Sequence, residues 1–154
     1  MIVAAGALGG AASASAGACT PGVKNISGGF LRTFCGPASV AVKVGGKTLK
    51  LNEGSCEATS GYLAVNIGVF SSVSDISKRP NYFGLDVGRV PGSSSPPAGK
   101  DGTYKSAIVM TFVYGGKAYS AAAGATATLA ANRTRGTVSG LTFTKQKISA
   151  SFHC

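Results

Sequence analysis

Residues 40–51 read VAVKVGGKTLKL, and two adjacent glycines in the middle leave this stretch few ways to fold. Val40, Val42 and Val44 alternate with Ala41 and Lys43; beyond Gly45-Gly46 the alternation resumes, with Leu49 and Leu51 on either side of Lys50. A side-chain period of two belongs to a strand with one buried face. A two-residue Gly-Gly loop accepts the positive φ angles of a type I′ hairpin turn. With that turn, Val42 faces Leu49 and Val40 faces Leu51, while Lys43 and Lys50 point away. Turn chemistry and hydrophobic alternation therefore select the same register.

The same pattern recurs along the chain. In 62–70, Leu63, Val65, Ile67 and Val69 alternate with a second set that includes Tyr62, Asn66 and Gly68. In 83–90, Phe83, Leu85 and Val87 share a side. Residues 104–114 form the longest strand candidate, apolar on both faces as a central strand should be. Gly115-Gly116 makes a second tight turn that pairs Phe112 with Tyr119 and Met110 with Ala121. A small-residue strand and a basic turn follow, up to residue 136. At Gly140 the apolar parity switches from Val138 to Leu141 and Phe143, which predicts a bulge that re-aims the strand. The polar stretch 71–81 reads as a connection with one helical turn near 73–76, and the Pro/Gly-rich stretch 91–102 as a loop. Residues 19–37, rich in Gly, Pro, Ser and Asn, read as an irregular tether.

Seven or eight strands with almost no helix emerge, in keeping with 23 glycines and only 13% charged residues among 154. A flat sheet that wide would leave a face bare. The expected fold is all-β: an antiparallel β-sandwich or closed barrel-like sheet over 38–154.

The tail sharpens this expectation. In KISASFHC, Ile148, Ala150, Phe152 and Cys154 lie on one side, with Lys147, Ser149, Ser151 and His153 on the other. Cys154 thus faces the core and needs a partner, and Cys56, just past the first hairpin, is the best candidate. Closing a loop of roughly 100 residues would stabilise by about 4–5 kcal/mol on the chain-entropy model. The four cysteines show no CxxC or Cys/His cluster, so no metal or other cofactor is expected; in an exported chain an even count reads as disulfides. Export is expected because the first eighteen residues, MIVAAGALGGAASASAGA, are apolar, small and uncharged. They read as the end of a secretory signal with small-residue cleavage sites at 14–16 or 16–18, its basic start lying upstream.

Charge and chemistry narrow the function. The formal charge is +10, from 15 Lys and Arg against 5 acids. An excess of this size favours an anionic envelope surface or lipid. The cations are spread thinly, with no run longer than Lys78-Arg79, so nucleic acid is not the expected partner. His153, the single histidine, sits two residues from Ser151 on one strand face, about 6–7 Å away and too far for direct proton transfer. Glu53, Glu57, Asp75, Asp86 and Asp101 are scattered, without the support a glycosidase pair or calcium loop requires. The glycines of 22–28 open no helix and carry no nucleotide signal. No catalytic residues and no enzymatic activity are expected. Asn25-Ile26-Ser27 and Asn132-Arg133-Thr134 match glycosylation sequons. Two alternatives remain. Phe83, Tyr104, Met110, Phe112, Tyr119 and Phe143, read first as core, could line an interior pocket for a lipid or apolar ligand. A free Gly/Ala/Ser edge around 120–128 would instead suit a subunit assembled by strand addition.

The order of the motifs resembles the mycobacterial 19 kDa lipoprotein antigen (LpqH-type) family. The matching pieces are 42–47, Cys56, Asn66-Ile67-Gly68, 84–88, 119–128 and 147–154, spanning residues 38–154. The resemblance implies an actinobacterial cell-envelope surface antigen with a β-sandwich-like domain, a Cys56–Cys154 bridge and no enzymatic activity. Members carry lipid on the first cysteine of the mature chain, through which host innate receptors sense them. Carried over, that residue is Cys19, although Ala16 stands where a leucine-type residue is expected. Cys19 therefore has two readings: lipid attachment, which leaves Cys35 unpaired, or a bridge to Cys35.

Overall fold

A computed structural model describes residues 18–89, 92–121 and 124–154. Most of the signal-like segment, residues 1–17, lies outside the described residues. The strands are β1 (Gly22–Ile26), β2 (Gly29–Phe34), β3 (Ala38–Val44), β4 (Lys47–Ala58), β5 (Tyr62–Ser71), β6 (Tyr82–Gly88), β7 (Gly102–Tyr104), β8 (Ile108–Tyr114), β9 (Lys117–Ala121), β10 (Thr126–Ala130), β11 (Arg135–Leu141) and β12 (Lys147–His153). A 3₁₀ turn, Ile76–Lys78, precedes β6.

The fold is all-β, and every pairing is antiparallel. Ten strands follow one path, β7-β10-β11-β12-β3-β4-β5-β6-β8-β9, and β2 joins the second half of β5, bringing β1 with it. The path curls on itself as a half-barrel. Its ends, β7 and β9, do not pair, so the sheet is not closed, and the described strands number twelve rather than seven or eight. The fold-over happens within β4. Its first half pairs with β3 and its second half with β5. Glu53, at φ 63°, marks the change of direction, and Gly54 lies so tightly against Ile67 that no Cβ would fit.

The hairpin registers follow the alternation: Val42 opposite Leu49, Val40 opposite Leu51, Phe112 opposite Tyr119, Met110 opposite Ala121. Both Gly-Gly turns have positive φ at each glycine. The inward faces of the two halves meet in one core, where Val42, Leu63, Val65, Phe83, Met110 and Phe112 are completely buried.

Four expectations are corrected. Residues 19–37 are not an irregular tether, because 22–34 form the β1–β2 hairpin. Aromatic contacts dock its second strand on the sheet: Phe30 meets Phe70 at 5.8 Å, Phe34 meets Tyr82 at 6.0 Å, and the Arg32 guanidinium lies 4.9 Å over the Phe34 ring. The long strand 104–114 is broken at Ala107, which takes φ 55°. The chain there crosses from one half of the sheet, where β7 pairs with β10, to the other, where β8 pairs with β6. The helical turn falls at Ile76–Lys78, capped by the Asp75 side chain accepting from Ser77 N–H. Finally, β11 carries no bulge at Gly140. Its register against β12 runs unbroken through Ser139–Ser149, Gly140–Ile148 and Leu141–Lys147. Gly140, not Leu141, takes the inward position, so Leu141 is 51% exposed and Phe143 85% exposed.

Candidate functional site

The structure brings Cys56 and Cys154 together in a disulfide with Cα atoms 5.7 Å apart, tying the end of β12 to the second half of β4. Cys19 and Cys35 form a second disulfide, also at 5.7 Å, which straps the start of β1 to the end of β2. With its sulfur in that bridge, Cys19 offers no thiol for an acyl thioether.

The end of the molecule holding Cys154 is organised for stability. Ala131, Asn132 and Arg133 are three successive left-handed residues in the β10–β11 turn. The Asp101 carboxylate accepts from the N–H groups of Asn132 (3.0 Å) and Arg133 (2.8 Å) and so holds this unusual turn. The Arg133 guanidinium donates through Nη1 to the carbonyls of Thr59 (2.6 Å), Tyr62 (3.3 Å) and Ala98 (3.3 Å). One arginine thereby joins three segments.

The remaining acids are likewise occupied or isolated. Asp75 accepts from the Ser77 hydroxyl at 2.6 Å and pairs with Lys78 at 3.4 Å, and the Ser77 hydroxyl holds its carboxyl below the usual range. Glu57 accepts from the Tyr62 hydroxyl at 2.8 Å, which pushes the phenol pKa up. Lys78–Asp75 is the only ion pair among the described residues. Ser151 and His153 both face outward, their strand neighbours being Thr137 and Ala41 for the first, Arg135 and Ser39 for the second. No carboxylate stands beside the histidine in that register. Among the described residues, no group of three or more His, Cys, Asp or Glu side chains is placed to hold a metal ion.

The interior positions of the carrier reading divide. Phe83, Met110 and Phe112 are sealed in the core, Tyr104 and Tyr119 are half-buried at its margin, and Phe143 is outside it. The strand around 120–128 is not free at β10, which β7 and β11 flank.

The opposite end of the molecule gathers charge. Lys43 and Lys47 flank the Gly45-Gly46 turn, and Gln146 packs against that turn from the 141–147 connection, which contributes Lys145 and Lys147. An open groove of about 480 Å³ runs between them, lined by Lys43, Gly45, Leu141 and Lys147. Across its floor the register places Lys43, Ser149, Ser139 and Thr126 side by side on four adjacent strands. A second open groove of about 480 Å³ is lined by Ile76, Lys117, Tyr119, Phe143 and Gln146. Five exposed lysines, 43, 47, 117, 145 and 147, thus gather at one end, and no carboxylate lines either groove. Sequence reasoning saw these lysines as thinly spread because residues 43 and 147 are about a hundred positions apart. The sequence carries one cue to this end, the parity switch to Leu141 and Phe143, which by alternation alone reads as a re-aimed strand with Phe143 in the core.

No protein-family model matches the chain, and comparison with curated proteins and with solved structures finds no match.

Proposed function

We propose that this chain is an exported, non-enzymatic interaction module of the cell envelope, and that its working surface is the lysine end docking on an anionic partner. Lys43 and Lys147 line one groove and Lys117 the other, no carboxylate lines either, and Lys47 and Lys145 stand next along the chain to groove residues Gly46 and Gln146; this arrangement carries the reading. Gathering like charges costs self-repulsion and does nothing for the core, so such a cluster is best explained by an anionic ligand. Ser149, Ser139 and Thr126 add hydroxyls beside Lys43, suited to anionic oxygens. Export is supported by the two disulfides that use all four cysteines, since such bridges persist in oxidising compartments. An envelope antigen of the LpqH type, the family the motif order resembles, agrees with this setting. Lipid attachment at Cys19, and with it sensing by host innate receptors through acyl chains, is the weaker reading while that sulfur is bridged.

The test is retention of the folded, oxidised protein on immobilised polyphosphate and on vesicles containing phosphatidylglycerol. Binding should weaken steeply as salt rises, and the Lys43→Glu/Lys147→Glu double variant should lose most of it. Unchanged retention by the double variant would overturn the assignment of this surface.

A further inference from the structure

We propose that Phe143 and Leu141 form an insertion tip that enters the interfacial layer of an anionic lipid bilayer while the surrounding lysines engage headgroup phosphates. This rests on the reading of the lysine end as the docking surface and names its partner.

The tip is built to hold an aromatic ring in solvent. Thr142, itself buried, anchors a tight turn: Lys145 N–H donates to its carbonyl at 2.8 Å, and its own N–H donates to the Gln146 carbonyl at 2.9 Å. Gln146 N–H donates to the Thr142 hydroxyl at 3.1 Å, and the Thr142 and Thr144 hydroxyls share a hydrogen bond at 2.9 Å. Lys145 closes the turn in a left-handed conformation, φ 61°. This network places Phe143 outward at 85% exposure, two residues along the chain from Leu141 at 51%. The backbone that carries the ring outward is already fixed by these hydrogen bonds, so docking need not order the turn.

The chemistry around the tip selects the partner. An acidic polymer satisfies the lysines but offers no apolar phase for Phe143 and Leu141. A second copy of this chain could bury the apolar pair, yet it would bring Lys43, Lys117, Lys145 and Lys147 against their own equivalents. An anionic bilayer supplies both parts in the right order, phosphates at the surface and acyl chains beneath. One Phe and one Leu insert only marginally by themselves, and the basic rim provides the second contribution that reversible membrane binding requires.

The chain contains no tryptophan, so Phe143→Trp introduces a single reporter at the tip. The experiment mixes the folded, oxidised variant with vesicles of phosphatidylglycerol and phosphatidylcholine, with vesicles of phosphatidylcholine alone, and with soluble polyphosphate. On the anionic vesicles the indole emission of this variant should shift to the blue and be quenched by brominated acyl chains. Neither change should appear with phosphatidylcholine alone or with polyphosphate. In parallel, Phe143→Ser should weaken anionic-vesicle binding about ten-fold, the worth of one buried aromatic side chain, and leave polyphosphate binding unchanged. A variant that sediments with anionic vesicles while its emission stays at the solvent wavelength overturns the insertion tip and leaves the lysine surface standing. A blue shift that grows with protein concentration in the absence of lipid also overturns it, in favour of self-association. Failure to bind either vesicles or polyphosphate removes the lysine surface itself, and the tip with it.

Discussion

A Cβ on Gly140 would sit 3.1 Å from the Cβ of Ala121, so β11 of one half of the sheet meets β9 of the other through two small residues, with Ala125, just ahead of β10, 3.4 Å away at its Cα. This contact brings the two faces together at the lysine end. It also dictates the outward aim of Leu141: with Gly140 inward, the next residue must point to solvent.

Gly140→Val should therefore separate the halves locally. A Cβ already only 3.1 Å from the Cβ of Ala121, with two methyls beyond it, should cost about 1–3 kcal/mol, as overpacking usually does. Urea denaturation of oxidised protein measures it. An unchanged midpoint would show that the halves do not meet there.

The two bridges should differ in worth because they close loops of different length. Cys56 and Cys154 are 98 residues apart, Cys19 and Cys35 only 16. On the chain-entropy model, removing the first as Cys56→Ser/Cys154→Ser should cost about 4–5 kcal/mol and removing the second about 3 kcal/mol. Denaturation of the two double variants gives the order. Thiol titration of the unfolded, unreduced protein should find no reactive thiol; two free thiols per chain would contradict the pairing.

Asp101→Ala should release the left-handed turn at 131–133, since it removes the acceptor for two backbone N–H groups. The expected loss is about 1–3 kcal/mol. Arg133→Lys should not restore the wild-type state, because an ammonium on a shorter reach cannot replace a guanidinium shared among three carbonyls. Amide exchange in 59–62 and 131–134 should quicken in both variants; unchanged protection would refute the latch.

Alkaline pH should expose the role of Tyr82. Its ring packs on Phe70 at 5.4 Å and its hydroxyl donates to Asn66 Oδ1 at 2.6 Å. Burial, with help from the charge of Asp86 and opposition from Arg32, pushes its pKa up to about 12 from 10.0. Between those values the unfolded chain has lost the proton that the folded chain keeps. The stabilising effect is thus complete below about pH 10 and disappears as pH rises through about 12, a loss of up to roughly 2–3 kcal/mol. Tyr82→Phe should flatten that fall in denaturation midpoints measured across this window. An equally steep decline in the variant would move the effect to another group.

Much of the local structure was legible in the residues. Period-two alternation joined to Gly-Gly turns defines the β3–β4 and β8–β9 hairpins with their registers, because parity and turn geometry act over a few residues and agree there. The inward parity of Cys154 is equally local. The tertiary structure decided what depends on distant partners. It docked the β1–β2 hairpin on the sheet through β2 pairing with β5 and through aromatic contacts to Phe70 and Tyr82, which lie some forty to fifty residues on. It broke 104–114 at Ala107 so that one chain could serve both halves of the sheet. It turned Gly140 inward against Ala121 and thereby sent Leu141 and Phe143 out among lysines gathered from 43 to 147. An apolar residue in an alternating pattern states only that it shares a face with its neighbours two away. Which face is buried depends on what the rest of the chain places against it.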